Sequence, residues 1–137
     1  MTKPIRLIAL LVLALSVLVT ACSSSQATTQ TIELVSPQTA AEIIDDAPNG
    51  LVVLDIRTPE EFQAARIPGA IMVDFYASDF GDRLDDLEKD VPYVLYCNSG
   101  NRSAEAAKMM QDRGFAEVYE IDGGIQAWYA AGLPLEQ

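Results

Sequence analysis

A cysteine between an apolar, strand-like stretch and an Ala-rich, helix-like stretch is the residue of this chain best suited to chemistry. Cys97 stands in the run Tyr96-Cys97-Asn98-Ser99-Gly100-Asn101-Arg102-Ser103. At a helix start the first backbone N–H groups are unpaired and the helix dipole places partial positive charge there, which stabilises a thiolate or an anionic ligand. Such positions lower a thiol pKa from about 8.5 to roughly 3.5–7.5. We predict that Cys97 is a nucleophile; the alternative is a small buried apolar residue.

The residue types that the chain lacks restrict how this nucleophile could be activated. The sequence has 2 cysteines and 0 histidines. A Cys–His pair, a Ser–His–Asp triad and a His-containing zinc site are therefore excluded, so activation must come from backbone dipoles and from Arg or Lys side chains. The other cysteine, Cys22, lies in the N-terminal segment, which excludes a CxxC redox site and a disulfide framework in the domain. We predict no metal and no cofactor.

Strand-like and helix-like segments alternate along the chain and would position Cys97. The predicted strands are 32–35, 51–56, 70–73, 92–96 and 117–121, and the predicted helices are 36–44, 58–65, 79–87, 103–113 and 125–131. Ser36-Pro37 and Thr58-Pro59 are typical of helix starts, because Ser and Thr cap helices and Pro favours the first helical position. This alternation predicts an α/β fold: a parallel five-stranded sheet with helices on both faces.

In open parallel sheets, ligands bind outside the carboxyl ends of the strands. The predicted strands bring four groups of residues to that edge: Asp55 with Arg57, Asp74, Cys97 with its loop, and Asp122-Gly123-Gly124. We therefore predict the functional site at this edge.

The first residues are typical of a bacterial export signal. Lys3 and Arg6 precede an apolar stretch over 7–19, and Val19-Thr20-Ala21-Cys22 resembles a lipobox. We predict a lipoprotein signal peptide over 1–21, a lipidated Cys22 with a flexible tether over 22–31, and a domain over 32–137. A transmembrane helix is the first alternative, but the apolar stretch is shorter than the ~20 residues that span a bilayer. The second is an ordinary secretory signal. Lipidation would place the protein in the cell envelope, anchored to a membrane and facing the periplasm or the exterior.

The charge of the chain disfavours one class of partner. Its formal net charge is −11, and removal of 1–21 would take away Lys3 and Arg6 but no acid, leaving −13. An acidic protein repels phosphate backbones, so nucleic-acid binding is disfavoured. The acid-rich stretch 79–90 flanks Leu84 and Leu87 at helical spacing, which favours a solvated helix face over a cation site.

Four ordered motifs resemble the signatures of single-domain rhodaneses, from about Ser36 to Leu135. They are 54–62 (LDIRTPEEF), 67–70 (IPGA), 97–103 (CNSGNRS), and 122–125 (DGGI) followed by Trp128 and 132–134 (GLP). The resemblance implies a rhodanese-like fold and a sulfurtransferase that moves sulfane sulfur from thiosulfate or a similar small anionic donor to cyanide or a thiol. It further implies that Cys97 carries the sulfur as a persulfide. The anion-binding loop would comprise Asn98, Ser99, Gly100, Asn101, Arg102 and Ser103.

This chain departs from the family pattern at two places. Ala65-Arg66 stands where the family commonly has Gly-His, and Asn98 stands where Arg often follows the cysteine. The second change leaves Arg102 as the principal cation of the loop. Because no proton transfer is required of Asp55 and Arg57, we expect them to support the loop through hydrogen bonds and an ion pair. Trp128 is predicted to be a core residue.

Two other functions fit the loop in part. A phosphatase or arsenate reductase of the same fold resembles this chain, but those enzymes place five residues between Cys and Arg, whereas four separate Cys97 from Arg102. A non-enzymatic module that binds sulfur or an envelope partner is the other alternative. We expect the protein to be a monomer.

Overall fold

The computed structural model describes residues 29–46 and 50–137 as five strands and five helices in alternation. The strands are β1 (Thr31–Val35), β2 (Val52–Asp55), β3 (Ile71–Met72), β4 (Pro92–Tyr96) and β5 (Glu117–Ile121). The helices are α1 (Pro37–Asp46), α2 (Pro59–Ala64), α3 (Phe80–Asp85), α4 (Asn101–Asp112) and α5 (Gly124–Ala130). Every predicted strand and helix therefore exists, with ends displaced by at most a few residues.

The strands form one parallel sheet in the order β1-β5-β4-β2-β3. All five residues of β4 are buried, as expected for a strand with a neighbour on each side and helices above and below. The predicted α/β fold, a five-stranded parallel sheet with helices on both faces, is confirmed.

Each face of the sheet has its own apolar cluster. Residues of α3 and α4 pack on one face, where Leu84 and Met110 meet Leu95 of β4. Residues of α1 and α5 pack on the other, where Trp128 meets Val94 of the same strand. Because side chains of a strand alternate between faces, β4 contributes to both clusters.

The side-chain caps predicted at the starts of α1 and α2 are confirmed. The Oγ of Ser36 accepts a hydrogen bond from the backbone N–H of Thr39 at 3.1 Å. Thr58 and Glu61 form a capping box, in which each side chain accepts from the backbone N–H of the other. These caps fix where α1 and α2 leave the sheet.

Three segments differ from the sequence prediction. Helix α4 begins at Asn101, two residues before the predicted start, and β3 has two residues because it pairs only with β2 at the sheet edge. Gln30, predicted to lie in the tether, donates through its Nε2 to the carbonyl oxygens of Gln111 and Phe115, both at 2.9 Å. The folded domain therefore already includes Gln30, just before β1 begins at Thr31.

The described residues lack the features that a membrane-spanning helix and a metal site require. Within residues 29–46 and 50–137, no helix has the length and apolarity needed to cross a bilayer, and no acidic cluster has the arrangement of a metal site. The acidic residues of 79–90 lie at the surface while Leu84 is fully buried, as predicted for a solvated helix face. Residues 1–28, including Cys22 and the predicted signal peptide, lie outside the described residues.

Candidate active site

Cys97 follows β4 directly and lies at the carboxyl edge of the sheet, where the sequence predicted the site. Only 1% of the residue is exposed, and it belongs to the cluster under α4. Its carbonyl oxygen accepts a hydrogen bond from the N–H of Ile125 at 2.9 Å, and that of Asn98 accepts from Gln126 at 3.1 Å. The backbone on either side of the thiol is therefore tied to the start of α5.

The loop after Cys97 turns its backbone back towards the sulfur. The N–H of Gly100 donates to Sγ at 3.1 Å. Gly100 has a φ of +99°, a conformation that residues with a Cβ rarely adopt. Gly100 directly precedes the first residue of α4. The negative charge of a Cys97 thiolate would therefore be stabilised both by this hydrogen bond and by the positive end of the α4 dipole.

These contacts favour the thiolate form of Cys97. Burial is the largest single influence and raises the thiol pKa, but hydrogen bonds from the Ser103 hydroxyl and from the backbone N–H groups of Ser103, Gly100 and Ser99 outweigh it. The pKa of Cys97 is therefore lower than that of an ordinary cysteine. This agrees with the nucleophile predicted from the sequence.

Gly124 allows α5 to approach the thiol loop. A Cβ at this position would lie 2.5 Å from the carbonyl oxygen of Cys97 and 2.7 Å from that of Asn98, both far below normal contact. Only glycine lets the first turn of α5 donate to these carbonyls. Gly124 also has a φ of +61°, a conformation that favours glycine, so both its backbone angle and its close approach to Cys97 require this residue.

Arg102 lies in the first turn of α4, and its positive charge is paired with a carboxylate. Its two terminal nitrogens each donate to one carboxylate oxygen of Glu61, both at 2.9 Å. The guanidinium holds the pKa of Glu61 at about 2, and hydrogen bonding to Glu61 in turn raises the pKa of Arg102. The negative charge of Cys97 adds to that increase, so Arg102 acts electrostatically on the thiolate. Sequence reasoning identified Arg102 but missed Glu61.

An exposed aromatic ring borders this ion pair. The Cζ of Arg102 lies 5.4 Å from the centre of the Tyr76 ring, which packs edge-to-face against Phe75. A guanidinium over an aromatic face is stabilised by the ring quadrupole. Tyr76 therefore helps to keep Arg102 at the mouth of the site.

Asp55 and Arg57 form a buried ion pair at the end of β2. Arg57 donates to both carboxylate oxygens of Asp55, the shortest distance being 2.6 Å, and to the carbonyl oxygen of Ala65 at 2.6 Å. The guanidinium also lies 5.5 Å from the centre of the Tyr96 ring. Within the described residues neither side chain hydrogen-bonds to the 97–103 loop. Arg57 therefore contacts the loop only indirectly, through Tyr96, the residue before Cys97.

The other predicted site residues occupy the loop or its surroundings. Ser99 and Asn101 are exposed and Asn98 is half-buried, whereas Ser103 is fully buried. Asp74 accepts a hydrogen bond from the N–H of Tyr76, and Asp122 is exposed at the end of β5. Residues 97–103 therefore lead from the end of β4 into the first turn of α4, and three of them, Ser99, Gly100 and Ser103, hydrogen-bond to the thiol.

Glu120 is a second residue, after Glu61, that sequence reasoning missed. It lies on β5, an interior strand, is 8% exposed, and its Oε1 is 2.7 Å from the Oγ of Ser103. That Oγ is in turn 3.5 Å from the sulfur of Cys97. An acidic residue within a strand predicted to be covered on both faces was the signal that could have identified it.

An apolar groove of about 160 Å³ lies on the opposite face of the sheet. Ala41 and Ile44 of α1 and Trp128 of α5 line it, and none of the predicted site residues does. Trp128 is buried there as a core residue, as predicted. Cys97 and the groups that hydrogen-bond to its sulfur lie outside this groove.

Two proteins of similar sequence are named as sulfurtransferases. A thiosulfate sulfurtransferase GlpE of Ectopseudomonas mendocina is 38% identical over 96 residues, covering 70% of this chain and 84% of the relative. A sulfurtransferase of Allochromatium vinosum is 35% identical over 85 residues, covering 62% and 78%.

Solved structures share the fold. A rhodanese-related protein of Thermoplasma volcanium aligns with a TM-score of 0.67 and 29% identity, covering 76% of this chain and 97% of that one. A protein of Rhodopseudomonas palustris described as a possible tyrosine phosphatase aligns with a TM-score of 0.60 and 30% identity, covering 80% and 86%. The profile of the rhodanese-like domain family matches residues 36–131, and the chain therefore belongs to that family.

Proposed function

We propose that this protein is a rhodanese-type sulfurtransferase that carries sulfane sulfur on Cys97. One observation carries the proposal: the buried sulfur of Cys97 accepts a hydrogen bond from the Gly100 N–H at 3.1 Å, at the positive end of α4. A thiolate stabilised in this way can attack without an imidazole base, which a chain with 0 histidines cannot supply. Relatives named thiosulfate sulfurtransferase support the same chemistry.

The reaction proceeds in two sulfur transfers. The Cys97 thiolate attacks the outer sulfur of thiosulfate, the S–S bond of thiosulfate breaks, and sulfite leaves with the bonding electron pair. The persulfide on Cys97 then loses its terminal sulfur to cyanide or to a thiolate, and the electron pair of the S–S bond returns to Cys97. Atoms and electrons balance without an oxidant, a metal or a cofactor.

The surroundings of Cys97 suit a small, terminal sulfur atom. Because the residue is 1% exposed, a donor must present a narrow end to reach Sγ. The N–H groups that hold the thiolate can also hold the terminal, negatively charged sulfur of a persulfide. Arg102 contributes less positive charge to an incoming dianion than an unpaired arginine would, since Glu61 is bound to it.

The experiment that tests the proposal is the intact mass of the purified domain before and after addition of thiosulfate. We expect a gain of one sulfur atom that is lost on adding cyanide, and no gain in Cys97→Ser, because a serine hydroxyl is not ionised at neutral pH. Ser99→Ala is the matched control, since this exposed loop residue contributes its backbone N–H and not its side chain. Retention of thiosulfate:cyanide activity by Cys97→Ser would contradict the mechanism.

A phosphatase is the second candidate, because one structural neighbour is described as a possible tyrosine phosphatase. The four residues between Cys97 and Arg102 make the loop one residue shorter than in the phosphatases that it resembles. Turnover of an aryl phosphate by the wild type, without sulfur transfer from thiosulfate, would favour this function. Absence of both activities would favour a non-enzymatic sulfur-binding module.

We also propose that the domain is anchored by lipid at Cys22 in the cell envelope of a bacterium. The proposal is supported by the order of Lys3, Arg6, the apolar stretch over 7–19 and the lipobox-like run before Cys22. Cys22→Ser in the full chain should abolish fatty-acid labelling and partition into detergent, with Ser23→Ala as the control. Unchanged labelling of Cys22→Ser would contradict the anchor.

A further inference from the structure

The mechanism above leaves one buried acid without a role. Strand alternation places Glu120 on the same face of β5 as Val118, in the core beneath α4. Burial raises the pKa of Glu120, the hydrogen bond from Ser103 opposes this, and the charge of Asp122 increases the pKa further. A carboxyl group in this position is costly to bury unless it is hydrogen-bonded.

Ser103 connects this acid to the nucleophile. Its Oγ is 2.7 Å from the Oε1 of Glu120, 3.1 Å from the carbonyl oxygen of Gly100 and 3.5 Å from the Sγ of Cys97. A serine hydroxyl has a single proton to donate and two lone pairs with which to accept. Three acceptors therefore compete for one proton when Glu120 and Cys97 are both ionised.

The protonation of Glu120 decides that competition. An ionised Glu120 accepts a hydrogen bond from the Ser103 hydroxyl in the shortest of the three contacts. Hydrogen bonds to a charged acceptor are stronger than those to a neutral one. The thiolate then loses a donor and faces a second negative charge. A protonated Glu120 donates its own proton to Oγ instead, which frees the Ser103 hydroxyl to donate to Sγ.

We propose that Glu120 is a positioning residue that acts through Ser103. It determines whether the Ser103 hydroxyl donates its hydrogen bond to the Cys97 thiolate or to the Glu120 carboxylate. The proposal rests on the proposed function because it concerns the reactive form of the same thiol. Protonated Glu120 stabilises the thiolate, and ionised Glu120 favours the thiol. Thiolate formation at Cys97 is therefore harder above the pKa of Glu120 than below it.

The charged groups around these three residues are few. Asp122 acts on Glu120 from the turn after β5, and Arg102, paired with Glu61, acts on Cys97. The strand neighbours of Glu120 in register are Leu34 of β1 and Leu95 of β4, which do not titrate. On α4, the further charged side chains of Glu105, Lys108 and Asp112 are exposed. Glu120 is the buried acid within hydrogen-bond reach of Ser103.

The test is the pH dependence of Cys97 alkylation by iodoacetamide in the wild type, in Glu120→Gln and in Glu117→Gln. Glutamine has nearly the shape of a protonated glutamate and its amide can donate to Ser103 Oγ at every pH. We expect the thiol pKa of Glu120→Gln to lie about one unit below that of the wild type, which gives about tenfold faster alkylation below both values. Glu117→Gln changes an exposed acid on the same strand and should match the wild type. Identical profiles for all three proteins would overturn the proposal.

A second measurement needs no substitution in the core. The carboxyl carbon of Glu120, followed by ¹³C NMR, should show an inflection at the pKa at which Cys97 titrates, because the thiolate competes for the Ser103 proton. S-methylation of Cys97 should remove that inflection. Its absence from the unmodified protein would overturn the proposal. Neither measurement involves thiosulfate, so coupling of Glu120 to Cys97 without persulfide formation would refute the proposed function alone.

Discussion

The loops that follow β2 and β4 lie at the same edge of the sheet but use their polar groups in opposite ways. After β2, Arg57 gives its hydrogen bonds to Asp55 and to the carbonyl of Ala65, so the charges satisfy each other. After β4, the backbone N–H of Gly100 is aimed at the sulfur of Cys97 instead. The first loop satisfies its own charges, and the second stabilises a negative charge on the Cys97 sulfur.

This difference shows that a charged residue in a family-like motif near the candidate site need not be free to bind an anion. Arg57 and Arg102 both occur in motifs that resemble the rhodanese signatures, yet both are bound to carboxylates. The Arg57 pair is almost completely buried, whereas 15% of Arg102 and 31% of Glu61 side-chain surface is exposed. Of these two pairs only Arg102–Glu61 is open to solvent, so under the proposed function it is the pair that an incoming anion would meet.

The largest effect on stability should come from removing one partner of the buried Asp55–Arg57 ion pair. Arg57→Ala leaves Asp55 buried without its counter-charge, and we expect the free energy of unfolding to fall by about 3–5 kcal/mol. Arg66→Ala removes a more exposed pair with Glu136 and should cost about 1 kcal/mol or less. Urea unfolding of both variants measures this. A stable Arg57→Ala protein with an altered Cys97 pKa would reverse the roles that we assign to the two loops.

A medium effect should come from adding a Cβ to Gly100, in the loop after β4, or to Gly69, in the turn between α2 and β3; both glycines have positive φ. Gly100→Ala and Gly69→Ala both strain the backbone, at φ of +99° and +76°, without a Cβ contact shorter than 3.6 Å. We expect each to lower the free energy of unfolding by about 1–2 kcal/mol. Of these two glycines only Gly100 donates to Sγ, so only Gly100→Ala, by displacing that N–H, should raise the thiol pKa of Cys97. Equal alkylation profiles for the two variants would show that the 97–103 backbone does not hold the thiolate.

A smaller effect should follow from changing the exposed pair. Glu61→Gln keeps a side chain that can cap α2 but removes the charge bound to Arg102, so the KM for thiosulfate should fall a few-fold. Arg102→Ala should raise that KM several-fold, and Arg102→Lys should recover part of the loss because a point charge cannot reproduce the guanidinium fork. Steady-state kinetics of the three variants decide this. An unchanged KM in all of them would mean that the pair is architectural, like Asp55–Arg57.

The smallest effect concerns acid stability. The pKa of Glu61 is lowered from 4.5 to about 2 in the folded protein, so its stabilisation is present above pH 4.5 and is lost as pH falls towards 2. Because the pair is partly solvated, we expect about 1 kcal/mol. The stability difference between the wild type and Glu61→Gln, measured from pH 6 to pH 2, should shrink over that interval. A constant difference would contradict the ion pair.

The sequence by itself determined the order of the elements and the position of the thiol loop. Ser36 and Thr58 are local caps, and β4 is a continuous apolar run that ends next to Cys97. Each of these features depends on neighbours within a few residues, which is why spacing alone predicted them. The ends of β3 and α4 were less accurate, because pairing and packing decide where an element stops.

Only the tertiary structure decided which charges meet around the thiol. Glu61 and Arg102 are 41 residues apart, and Ser103 and Glu120 are 17 apart. Neither pair follows a helical or strand period, so the sequence could identify Arg102 as a cation but not its counter-charge. Likewise, the fit of Gly124 against the Cys97 carbonyl depends on how closely α5 approaches the end of β4. Local patterns specify where a nucleophile is placed; long-range packing specifies the charges and hydrogen bonds that set its reactivity.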